Sequence, residues 1–105
     1  TEECTVEGTS AELDTSRVMA CMETTDGVLK LYDHVAKTGE ALGLGKARGI
    51  QVGGLSDAGI TVGAGIPTLC GMGVRGTGAH TDREYAQVES LYERCLLAAA
   101  AVRTL

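Results

Sequence analysis

Fifteen of the 105 residues are glycine, and all but Gly8 and Gly27 fall between Gly39 and Gly78. That is roughly double the usual share of about 7%. Glycine lets a backbone turn sharply but weakens helix and strand interiors. The middle of this chain is therefore loop-dense, with short elements between tight connections.

Two stretches escape that constraint. From Thr25 or Asp26, either of which offers an N-cap oxygen, Val28, Leu31, Tyr32, Val35 and Leu42 recur at helical spacing. Gly43 and Gly45 stop that helix. His34 falls beside Lys30, Lys37 and Ala41 and reads as a solvated surface histidine. Near the end, Ser90-Leu91-Tyr92-Glu93 has the form of a capping box. The helix it would open carries Leu91, Tyr92, Cys95, Leu96, Ala99 and Val102 on one face. Between these helices, Gly49–Val52 and Ile66–Cys70 read as short buried strands. Ser56-Asp57 caps a small-residue helix over Ala58–Ala64. Tyr85–Val88 is a brief extended segment. Before Met22, Cys4 onward reads as two or three short strands. Alternating elements after Thr24 predict an α/β layer with a mostly parallel sheet. The strand-rich start is a separate piece of architecture, with a boundary near Met22 to Asp26.

Composition excludes several functions. The formal net charge is −5, and the nine Lys and Arg are scattered. With three Tyr and no Phe or Trp, the chain has neither the basic patch nor the stacking platforms of a nucleic-acid binder. No apolar run approaches the ~20 residues of a membrane span. Cys4, Cys21, Cys70 and Cys95 form no C-x-x-C pair, which argues against a structural zinc knot. Four small, mostly buried thiols imply a reducing compartment and hence a cytoplasmic location. One or two disulfides remain compatible with the even count.

Gly71-Met72-Gly73-Val74-Arg75-Gly76 spells G-x-G-x-x-G. A dinucleotide fingerprint also needs a helix starting inside the motif, so that its amides face the pyrophosphate. The residues that follow, Thr77 to Asp82, have no helical period. The same loop ends on His80, one of two histidines. Glycines ahead of a histidine let backbone approach an ion closely. Asp82 and Glu84 stand near enough in sequence to orient its ring.

Gly53-Gly54-Leu55-Ser56-Asp57-Ala58, then Gly65-Ile66-Pro67-Thr68-Leu69, then Gly78-Ala79-His80-Thr81 with Glu84-Tyr85, resemble the C-terminal part of the glutamate carboxypeptidase and acetylornithine deacetylase-like zinc metallopeptidases. The resemblance runs from about Met22 to Leu105. It implies a three-layer α/β catalytic domain, of which residues 24–105 would be the C-terminal half. Residues 1–23 would be the terminal strands of a lid or dimerisation domain. It implies a di-zinc hydrolase (manganese or cobalt being alternatives) that cleaves an amide bond next to a free carboxylate in a peptide or N-acyl amino acid. His80 would be the late metal ligand, and the turn Gly54, Leu55, Ser56 would lie against the substrate carboxylate. No early H-x-D motif and no Glu-Glu pair stand at the family positions. Of the di-zinc site only the late histidine, His80, maps onto these residues, whereas a two-metal site needs about four or more protein ligands; no catalytic residue is expected among them. They are expected to be inactive alone, needing the remaining half of the catalytic domain and pairing as a homodimer. The alternative is a non-catalytic α/β binding or structural module with a glycine-rich ligand loop.

Overall fold

The computed structural model describes residues 5–16 and 18–105. The expectations that fall on Cys4 and on Arg17 lie outside the described residues. The element order is α1 (Asp26–Ala41), α2 (Ala58–Gly63), β1 (Gly76–Thr77), β2 (Tyr85–Ala86) and α3 (Val88–Arg103).

Helix α1 begins where Thr25 Oγ1 accepts the Val28 amide at 3.3 Å, and Asp26 sits in its first turn, on the favourable side of the helix dipole. It ends in a Schellman motif. Gly43 takes φ +72°, its amide donates to Glu40 O, and the Leu44 amide donates to Gly39 O. Helix α2 closes in the same way through Gly65 at φ +83°, with the Gly65 amide on Val62 O and the Ile66 amide on Thr61 O. At the start of α2 the Ala58 amide donates to Ser56 Oγ at 3.2 Å. Asp57 makes no side-chain cap bond, so Ser56 supplies the oxygen expected from the pair.

Helices α1 and α3 pack against each other. Val35, Leu97 and Ala101 form the core, with Leu44, Leu69 and Met72 packed against it. The expected apolar face of α3 is not the one that packs. Leu91, Tyr92, Cys95, Leu96, Ala99 and Val102 are all exposed, whereas Ser90, Leu97 and Ala101 are buried. From Leu96 to Val102 every residue is apolar, so spacing there cannot choose a side. Contact with α1 chooses it. His34 is also not solvated: it is half-buried and its Nε2 lies 3.0 Å from Ala101 O at the end of α3.

The capping box does not form either. Helix α3 starts at Val88 with Gln87 as N-cap, three residues before the expected start, and Ser90 is fully buried. Its hydroxyl donates to Gln87 O at 2.7 Å and accepts the Arg75 amide at 2.8 Å. Glu93 pairs with the Arg75 guanidinium instead of returning to the Ser90 amide.

Among the described residues the only strands are β1 and β2, paired antiparallel with Gly76 opposite Ala86 and Thr77 opposite Tyr85. Gly49–Val52 and Ile66–Cys70 form no ladder. A strand needs a partner to satisfy its amides and carbonyls, and neither segment finds one among the described residues. Before α1 the described chain holds a turn at Val6–Thr9, an Asp14–Ser16 turn and an isolated bridge at Ala11. The segment around Ala20 and Cys21 lies directly on Gly59 of α2, where a Cβ would meet the Ala20 carbonyl. Small residues in α2 do permit close packing, against extended chain instead of a sheet.

Candidate functional site

The glycine-rich loop becomes a hairpin. Its first strand is reached through Arg75, whose amide is held by Ser90 Oγ and whose carbonyl accepts the Gln87 amide at 2.8 Å. One rung further, Gly76 and Gly78 form the neck. A Cβ at Gly76 would collide with the Tyr85 carbonyl, and one at Gly78 would come within 2.7 Å of Arg83 O. No helix opens inside G-x-G-x-x-G; the next one starts at Val88. The helix N-terminus that a pyrophosphate requires is therefore missing from the motif.

At the tip, the Thr81 amide returns to Gly78 O at 3.1 Å, closing a turn over Ala79 and His80. The Thr81 hydroxyl also donates to Gly78 O at 2.7 Å and accepts the Arg83 amide at 3.2 Å. His80 occupies the third position of that turn with φ 65°, the only non-glycine residue with positive φ among the described residues. This is the geometry of a type II turn, which favours glycine or asparagine there. A side chain in this region costs roughly 1 kcal/mol or more. The imidazole is exposed. Neither Asp82 nor Glu84 orients it. Asp82 instead stands 3.9 Å from the Arg83 guanidinium in a fully solvated pair.

The second expected site, Gly54, Leu55 and Ser56, lies in the connection before α2. Gly54 and Leu55 are exposed and Ser56 is half-buried. The amides of all three donate to no acceptor among the described residues. Ser56 Oγ is 3.1 Å from Cys70 Sγ. That contact joins the turn to the residue that opens the glycine-rich loop. No hydrogen bond joins His80 itself to Gly54, Leu55 or Ser56 among the described residues.

Among the described residues no three His, Cys, Asp or Glu side chains converge to hold a metal ion. His80 can supply one nitrogen, and these residues by themselves do not make a metal centre. Cys21, Cys70 and Cys95 are free and exposed, in contrast to the mostly buried thiols expected from composition. Sequence reasoning missed two anchoring residues, Ser90 and Arg75. A serine three residues before a glutamate suggested a cap, and only the tertiary approach of the hairpin gives it a different partner. Among the described residues no helix is long and apolar enough to cross a membrane. Comparison of the chain with family models, curated proteins and solved structures found no match.

Proposed function

We propose that this chain is part of a metallohydrolase of the carboxypeptidase or deacylase type, in which His80 supplies one ligand to a two-zinc site. The turn Gly54–Ser56 would receive the free carboxylate of a peptide or N-acyl amino acid. The observation that carries the reading is the conformation of His80. A histidine is held in a glycine-like backbone geometry at the exposed tip of a hairpin whose neck admits no side chain. Strain retained at an exposed residue is best accounted for by use of that residue. The amides of Gly54, Leu55 and Ser56, which meet no acceptor among the described residues, support the carboxylate assignment, since backbone N–H groups can bind anions without a charged side chain.

The residues present do not complete a metal site, so no step of hydrolysis is assigned to them. Their part is to present one imidazole and to orient a carboxylate. The remaining ligands and the general base would come from polypeptide outside these residues. Zinc in such a site would polarise the scissile carbonyl and lower the pKa of bound water; manganese or cobalt could replace it. A cytoplasmic setting accords with three free thiols.

Zinc titration of the 105-residue chain tests the ligand assignment. We expect weak binding, abolished in His80→Ala and retained in His34→Ala. Tight stoichiometric zinc that survives His80→Ala would overturn the assignment. For the hydrolase reading, His80→Ala in the complete protein should lower amidase activity by at least a hundredfold. Unchanged activity would refute it and favour a binding module.

A further inference from the structure

Away from the hairpin tip, the 43–47 connection lies over the junction of α1 and α3 and leaves a cavity of about 80 Å³. A single water occupies about 10–15 Å³ by this kind of measure, so the space admits a group of several heavy atoms. Its wall is unusual for an acidic chain. Lys46, Arg75 and Arg94 line it, against one carboxylate, Glu93, while the chain as a whole carries −5. Glu93 is already engaged by the Arg75 guanidinium. Arg94 Nε is buried and has no hydrogen-bond partner among the described residues. A buried donor on a permanently charged guanidinium is costly when left unbonded. The lining therefore carries a surplus of positive charge that its one carboxylate does not balance.

We propose that this cavity is a binding site for a small oxyanion, a phosphoryl or carboxylate group, held by Arg94 and Lys46 with Arg75 at its rim. Guanidinium and ammonium groups together suit such a ligand, the first through directed N–H bonds and the second as a compact charge. The site is separate from His80 and does not depend on the reading of that residue. It lies beneath the Arg75 anchor of the hairpin, so an occupant would share Arg75 with Glu93.

The test is titration of the 105-residue chain with inorganic phosphate, and separately with acetate, at ionic strength fixed with sodium chloride, followed by ¹⁵N–¹H correlation spectra. We expect saturable shifts confined to Gly45, Lys46, Ala47 and the Arg94 guanidinium N–H signals. Saturation by phosphate alone assigns a phosphoryl ligand; saturation by acetate alone assigns a carboxylate. Arg94→Gln should weaken binding at least tenfold. Because Arg94 is half-buried, Lys46→Ala, at an exposed loop position, gives an independent reading and should weaken binding at least threefold. His80→Ala should leave it unchanged. Shifts that never saturate with either anion, or affinity in Lys46→Ala and Arg94→Gln unchanged from the parent chain, would overturn the proposal.

Discussion

At the scale of single residues, Ser90 and His80 show opposite economies. Ser90 has no exposed surface and its hydroxyl serves two partners, Gln87 O and the Arg75 amide. Replacing it by alanine leaves the Arg75 amide without an acceptor, at a cost of about 1–3 kcal/mol. Ser90→Ala should therefore show faster hydrogen exchange at Arg75 and Gln87 than the parent chain, with Val28 unchanged. His80 sits where glycine would be relaxed. His80→Gly should stabilise the hairpin by roughly 1 kcal/mol, read as slower exchange of the Thr81 and Glu84 amides, while removing any zinc affinity. A gain in order with a loss of ligand is the signature of a residue kept for use. The pair Asp33–Lys37 belongs to the same scale. The Asp33 carboxylate raises the Lys37 pKa by hydrogen bond and charge. The small stabilisation it gives is present at neutral pH and lost as pH rises through that raised value.

At the scale of elements, the hairpin depends on two glycines and the helix pair on one unexpected contact. Gly78 has φ +77° and no room for a Cβ beside Arg83 O. Gly78→Ala should open the β1–β2 turn, measured as loss of exchange protection at Gln87 and Thr81 while α1 keeps its own. The end of α3 is tied to α1 by His34 Nε2 on Ala101 O, a carbonyl at the helix terminus that would otherwise lack a strong partner. His34→Ala should fray the last turn of α3 by about 1 kcal/mol, visible in the exchange of Arg103 and Thr104. Periodicity located α1, and Thr25 and Gly43 marked its ends through ordinary cap chemistry. It failed on α3, because a run of seven apolar residues presents apolar surface on every side.

At the scale of the molecule, the chain is extended. Its radius of gyration is 18.6 Å, against about 13 Å for a compact domain of this length. Large apolar side chains remain open on several elements, among them Val88 at 78%, Tyr92 at 75% and Val102 at 77% on α3, and Ile50 at 74%. Such surface favours association. Sedimentation should show mass increasing with concentration over the micromolar range. Tyr92→Glu with Val102→Lys, both on the uncovered face of α3, should return the chain toward monomer without loss of helicity. An unaltered monomer at high concentration in the parent chain would count against a face that needs a partner.

The sequence by itself determined where the backbone turns and stops: a threonine cap, glycines at left-handed positions and a helical apolar period are local, and local geometry follows from residue type. It also placed His80 at the end of a glycine-rich loop. Only the tertiary structure decided which side of α3 is buried, that Ser90 holds the hairpin instead of capping a helix, and that Gly49–Val52 and Ile66–Cys70 find no ladder among the described residues. Those outcomes depend on which surface arrives opposite, and no residue carries that information alone.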